Sequence, residues 1–173
     1  MHRRLPAIGS LFAIGLTLFP IAPILTGQEV KAQTPSFKIR NKAWRRCLNL
    51  QDDQAKNGGL PNVWECVSHA DQEWAIESAG NGFYKIRNKA WGRCLNLQDD
   101  QAKNGGLPNV WECVSHADQE WAIESAGNGF YKIRNKAWGK CLNLQDDQVR
   151  NGGLPNVWEC VSHPDQEWII TRE

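Results

Sequence analysis

Beyond residue 32 the chain has no run of ten or more residues with apolar side chains at helical spacing, which excludes an architecture of amphipathic helices. No other segment there could cross a bilayer. The closely spaced cysteine pairs of structural zinc sites are missing, so the thiols do not read as a metal cage. No Ser-His-Asp or metal-ligand motif is visible, and the carboxylates at Asp52, Asp53, Glu65, Asp71 and Glu73, which composition allows as a glycosidase pair, recur in near-copies that would make three equivalent active sites, so no catalysis is expected. Charge of one sign is also missing: 20 Lys plus Arg stand against 19 Asp plus Glu. A near-neutral chain is not drawn to polyanions by its net charge, which argues against nucleic acid as a partner.

What fills the chain is a 47-residue unit present three times, over residues 36–82, 83–129 and 130–173. The middle copy reads Cys94-Leu95-Asn96-Leu97, then Val110-Trp111-Glu112-Cys113, then Asp118-Gln119-Glu120-Trp121. Cys47, Cys94 and Cys141 step by the same interval, as do Trp74, Trp121 and Trp168. A fixed period of this size marks a supersecondary piece that cannot bury its apolar face alone and shares a core with its neighbours. Open solenoids generally need more copies and polar caps, so three copies favour a ring closed by three-fold pseudosymmetry.

Within a unit the period is two. Phe83-Tyr84-Lys85-Ile86-Arg87 alternates, Leu95 and Leu97 alternate around Asn96, and Val110-Trp111 and Trp121-Ala122-Ile123 are short β-type runs. Turn chemistry separates them at Asn88 to Gly92, at Asn104-Gly105-Gly106, at His116-Ala117-Asp118 and at Gly127-Asn128-Gly129. The reading is four short strands per unit and an all-β fold. Tyr84 and Ile86 are expected to face the core, with Lys85 and Arg87 toward water.

The first 32 residues read as a signal peptide. His2-Arg3-Arg4 is a cationic start, Leu5 to Leu25 is mostly apolar, and Val30-Lys31-Ala32 offers small residues where a signal peptidase reads. An uncleaved N-terminal anchor is the alternative for the same stretch. Cleavage removes Arg3, Arg4, Lys31 and Glu29, leaving 17 basic against 18 acidic residues in a chain of 141. The expected address is secreted or periplasmic, with no membrane insertion after cleavage. An exported chain with two cysteines per unit carries a disulfide framework. Three-fold symmetry admits three pairings. Same-unit bridges close the shortest loops, giving Cys47 with Cys66, Cys94 with Cys113 and Cys141 with Cys160, each stabilising by about 3 kcal/mol on the loop-entropy account.

Taken together, Cys-Leu-Asn-Leu, Asn-Gly-Gly, Val-Trp-Glu-Cys and Asp-Gln-Glu-Trp resemble the ricin B-type lectin repeat, also seen in family-13 carbohydrate-binding modules. The resemblance covers essentially all of residues 36–173. It implies a β-trefoil of three four-stranded units, each ending in Gln-x-Trp, and a non-catalytic sugar-binding domain over residues 33–173. A pyranose offers an apolar C–H face for an aromatic ring and a rim of hydroxyls for polar partners. Trp64, Trp111 and Trp158 match the family's stacking position. The polar positions match Asn49, Asn62, Asp71 and Gln72, then Asn96, Asn109, Asp118 and Gln119, then Asn143, Asn156, Asp165 and Gln166. The galactose-binding members have Asp where this chain has Asn49, Asn96 and Asn143. A carboxylate is still available at Asp71, or at Asp52 and its counterparts Asp99 and Asp146.

Calcium is used by some members of the family; with Asn in place of their first Asp, metal-free binding without a cofactor is expected here. Glycans, engaged multivalently, are the implied partners. Trp74 reads as core, Gln72 as binding local backbone as much as ligand, and His69 as a solvated loop residue near the site. Trp44, on a hairpin tip, could extend the site or pack on a neighbour. Two other roles remain for comparison: a protein-interaction or inhibitor module, and a binder of anionic glycans along the Lys85, Arg87 and Lys89 face. Export of the full chain should release a protein whose first residue is Gln33; N-terminal sequencing that finds Met1 instead would establish the anchor.

Overall fold

The computed structural model describes residues 34–173. The segment read as a signal peptide lies outside the described residues. Twelve strands follow in order: β1 (Phe37–Asn41), β2 (Cys47–Asn49), β3 (Asn62–Trp64), β4 (Trp74–Gly80), β5 (Phe83–Asn88), β6 (Arg93–Asn96), β7 (Asn109–Glu112), β8 (Trp121–Gly127), β9 (Phe130–Asn135), β10 (Cys141–Asn143), β11 (Asn156–Trp158) and β12 (Trp168–Arg172). Four strands fall in each unit, as the alternation predicts. The helical content is single 3-10 turns, such as Asp52–Gln54 and Ala70–Gln72.

All pairings are antiparallel, and six strands form a closed ring. β1 pairs β4, β4 pairs β5, β5 pairs β8, β8 pairs β9, β9 pairs β12, and β12 returns to β1 over five residue pairs from Phe37↔Arg172 to Asn41↔Trp168. The barrel therefore has no free edge strand. Each unit adds a hairpin (β2–β3, β6–β7, β10–β11), and each hairpin is joined to the next unit's by backbone bonds. Gly58 N donates to Val110 O and Val110 N to Gly59 O; the same exchange links Gly105 and Gly106 to Val157, and Gly152 and Gly153 to Val63. Glycine is required at this crossing. A Cβ on Gly59 would stand 1.8 Å from Gln54 O, and Gly58 holds φ +82°. This arrangement is the β-trefoil.

The core repeats with the sequence. Ile39, Leu48, Leu50, Val63 and Trp74, with their counterparts in the other two units, are all fully buried. Trp74 satisfies its one polar atom by donating from Nε1 to Leu48 O at 3.0 Å, so the largest side chain of the core leaves no unpaired donor there. The three bridges are the same-unit ones: Cys47–Cys66, Cys94–Cys113 and Cys141–Cys160.

On β5 the outcome is less simple than inside against outside. Ile86 is fully buried, but Tyr84 is only half-buried. It lies with Phe37, Ile76, Ile123, Tyr131 and Ile170 around an apolar mouth of about 290 Å³. Strand alternation gives the facing; it does not say where along the strand the core ends. Lys85 and Arg87 are half-buried rather than free in water, and Arg87 is paired with Glu77. The equivalent Arg134 is held above the ordinary arginine value by its hydrogen bond to Glu124.

The β1–β2 turn departs from its two counterparts at Arg45. Gly92 and Gly139 hold φ of 68° and 67°, whereas the first unit places Arg45 there at φ 58°. A side chain in left-handed conformation costs about 1–2 kcal/mol, partly offset by the larger unfolded-state entropy of glycine. Arg45→Gly should therefore raise stability by up to about 1 kcal/mol, seen as a higher denaturant midpoint at unchanged slope. An unchanged or lowered midpoint would show that Arg45 is unstrained.

Candidate functional site

Each unit carries one shallow cleft, of about 140, 190 and 180 Å³ in chain order. The first is lined by Asn49, Gln51, Trp64, Val67, His69, Asp71 and Gln72, and the other two by the residues 47 and 94 positions on. Strand alternation sets this up. Leu48 and Val63 pair across the β2–β3 ladder and point into the core, which sends the neighbouring pairs Cys47↔Trp64 and Asn49↔Asn62 to the opposite face.

Three amides form a relay along the cleft floor. Asn49 Nδ2 donates to Asn62 Oδ1 at 2.8 Å, and Asn62 Nδ2 donates to Gln51 Oε1 at 2.6 Å. The same two bonds recur in each of the other units. The relay has a direction. With Nδ2 of Asn49 committed inward, its Oδ1 is the atom left to accept; with Oε1 of Gln51 committed, its Nε2 is left to donate. An amide at position 49 thus supplies an acceptor to the cleft, the role a carboxylate would also fill.

The wall is the 3-10 turn Ala70–Gln72. His69 Nδ1 lies 3.4 Å from both the backbone N–H and Oδ2 of Asp71, and the ring is largely exposed. Gln72, almost fully buried, donates to Glu65 O at 2.8 Å and accepts from Val67 N at 2.9 Å. Its amide therefore fixes the loop that carries Trp64 and Val67, in agreement with the backbone-binding part of its sequence reading. Trp64 is half-buried. Its ring edge comes within 3.7 Å of a Cβ built on Gly152, so the third unit's Asn-Gly-Gly loop backs it.

The next unit closes the wall from behind. Asn88 Nδ2 donates to Asp71 O at 2.9 Å, Lys89 N donates to Glu73 O at 2.9 Å, and Trp91 Nε1 reaches Asp71 Oδ1 at 3.2 Å and Leu50 O at 3.0 Å. Asn41 does the same to Asp165 O and Asn135 to Asp118 O. Asn41, Asn88 and Asn135 are completely buried.

The sequence-derived positions divide into three groups. Asn49, Trp64, Asp71 and Gln72, and likewise Asn96, Trp111, Asp118, Gln119, Asn143, Trp158, Asp165 and Gln166, meet in the clefts. Asn62, Asn109 and Asn156 do not line them; they are buried partners of the floor amides. Asp52, Asp99 and Asp146 stand outside, exposed on a 3-10 turn where each Oδ1 accepts from the next residue's N–H. Two residues per cleft escaped the sequence reading, Gln51 and Val67 with their counterparts, and His69, read as a solvated loop residue near the site, lines the cleft with its ring largely exposed. Gln51 carried a usable signal, since it lies two residues after Asn49 and strand period puts both on one face. His69 and Val67 sit in loop, where no period applies.

Among the described residues no group of three or more His, Cys, Asp or Glu side chains is gathered as a metal site. On the face of Lys85, Arg87 and Lys89, Arg87 pairs with Glu77 and Lys89 lies 3.9 Å from Glu73, while Lys85 reaches Ser115 Oγ at 3.4 Å.

Asn109→Ala would strand the donor of Asn96 inside the floor, at a cost of about 1–3 kcal/mol. Asp99→Ala, on the exposed turn, should stay within about 0.5 kcal/mol of the parent. Equal denaturation midpoints for the two variants would show that the relay is not a structural element.

A sequence profile of the ricin-type beta-trefoil lectin domain matches residues 35–168. Comparison with curated proteins gives no match. Among solved structures, the designed three-fold symmetric protein ThreeFoil superposes with a TM-score of 0.74 at 18% identity, over 79% of this chain and 97% of that one. The exo-beta-1,3-galactanase 1,3Gal43A from Clostridium thermocellum gives a TM-score of 0.76 at 25% identity over 81% of this chain. The hemolytic lectin CEL-III gives 0.63 at 25% identity over 78%. The chain spans only 30% of the galactanase and 29% of CEL-III.

Proposed function

Because the chain belongs to the ricin-type β-trefoil lectin domain family, we propose that it is an exported, non-catalytic lectin with three equivalent sugar sites, one in each cleft, released by removal of residues 1–32. The observation that carries this reading is the coincidence, three times over, of a half-exposed indole with a polarised amide pair and an aspartate in one shallow cleft. The ring of Trp64 takes the apolar face of a pyranose. Asn49 Oδ1 and Asp71 accept from its hydroxyls while Gln51 Nε2 donates to them. Three disulfides suit an oxidising, extracellular or periplasmic address. Galactose-containing glycans are the first ligands to test, given the galactanase among the structural neighbours.

A cleft of this size with one stacking ring implies a dissociation constant on the order of 0.1–1 mM for a monosaccharide, about 4–5.5 kcal/mol. Linked sites then raise avidity by about 10² to 10⁴ where the ligand can span them. A glycan array probed with oxidatively refolded residues 33–173 identifies the sugar. Calorimetry with that sugar should then count three sites, and two after Trp64→Ala, Trp111→Ala or Trp158→Ala, with the fold intact by circular dichroism. A chelator should leave the titration unchanged. Unaltered stoichiometry and affinity in all three variants would remove these rings from the site.

A further inference from the structure

Among the described residues, six large apolar side chains are exposed: Trp44, Trp91 and Trp138 at 37–41%, and Val67, Val114 and Val161 at 47–48%. None is scattered. The three valines line the clefts, and each tryptophan bonds to another unit beside its cleft: Trp91 and Trp44 to the cleft aspartate, Trp138 to the backbone just after the floor asparagine Asn96. Trp91, of the second unit, reaches Leu50 O and Asp71 Oδ1 of the first. Trp138, of the third, donates to Leu97 O of the second at 3.0 Å. Trp44, of the first, donates to Asp165 Oδ1 of the third at 3.1 Å. Exposed apolar surface gathered at one kind of place marks a binding surface.

Each of these rings is also held. The indole N–H is tied at the ring edge, and the backbone N–H of Trp44, Trp91 and Trp138 donates to the buried Asn41, Asn88 and Asn135 at 3.2 Å. A ring tied at its edge on an anchored backbone, while more than a third of its surface stays in water, is a preorganised stacking plate with less side-chain entropy to lose on binding.

We propose that Trp44, Trp91 and Trp138 form a second aromatic subsite beside each cleft, supplied by the neighbouring unit, and that the natural ligand is a linear oligosaccharide of at least two pyranose units. One unit stacks on Trp64 in the cleft; the next lies on Trp91, across the shared Asp71. The inference rests on the clefts being the sugar sites, and it adds chain length as the property that the surface selects.

The test uses an array of linear β-linked oligosaccharides, one to four units long, of galactose, glucose, xylose, mannose and N-acetylglucosamine. For whichever series binds, the disaccharide should bind about tenfold more tightly than the monosaccharide, the increment of one further stacking contact. The triple variant W44A/W91A/W138A should reduce that ratio to about one, and the triple Phe variant, which keeps a ring but loses the tie that preorganises it, should retain part of it. In the wild-type protein, indole N–H signals of the same three residues should shift further on titration with disaccharide than with monosaccharide, which reaches them only through the neighbouring cleft wall, a readout independent of how the variants fold. A ratio near one in the wild type, an Ala variant that keeps the ratio, a Phe variant that loses it entirely, or equal indole shifts with the two ligands would overturn the subsite. Failure of the cleft reading looks different: the wild type binds no series, or W64A/W111A/W158A leaves monosaccharide binding untouched, and the subsite falls with it.

Discussion

Everything in this molecule depends on β12 coming back to β1. A 47-residue unit brings one isoleucine, two leucines, one valine and one tryptophan to the fully buried core, too little apolar surface to stabilise a fold alone. Three such sets meet on the barrel axis only if the six-stranded ring is closed, and the five-residue register between Phe37–Asn41 and Trp168–Arg172 closes it. The hairpin crossings from Gly58 to Val110 and onward round the ring repeat the closure in a second layer. Three disulfides then act within units, so the covalent links fix local hairpins and leave the assembly of units to hydrogen bonding and packing.

The polar chemistry follows from that scaffold. A ladder that buries Leu48 and Val63 must send Asn49 and Asn62 to the same opposite face, where two amides side by side need each other as partners. Their mutual bond fixes which atoms remain for a ligand. Gln72 is likewise committed to backbone at both ends of its amide, and so is a splint for the cleft's loop. The cleft's chemical character is thus largely a by-product of satisfying polar groups around the core.

Features that recur with a period were legible in the sequence. The unit length, the four strands, the burial of Trp74 and the pairing of Cys47 with Cys66 all follow from spacing and alternation. The resemblance to ricin B-type repeats placed Trp64, Asn49, Asp71 and Gln72 where the cleft has them. What was not legible depends on position in space. Asp52 is three residues from Asn49 and carries suitable chemistry, but the 3-10 turn at Asp52–Gln54 puts it in solvent, outside the cleft. Asn62 is in contact with the site yet behind it. Tyr84 obeys the strand alternation and still misses full burial, because the barrel ends at its level. Trp44 could not be settled because its partner, Asp165, lies 121 residues away.

The clamp made by Asn41, Asn88 and Asn135 puts the cleft out of phase with the sequence repeat. A finished cleft begins at the β2–β3 hairpin of one copy and ends at the β1–β2 turn of the following copy. Three copies strung in an open array would complete only the middle cleft, leaving Trp64 of the first without the loop behind it and the last wall without its clamp. Ring closure lets the first and last copies serve each other, so circularity completes two of the three clefts as well as the core. Chaining copies of this unit therefore yields the full set of three clefts only when the chain meets its own beginning.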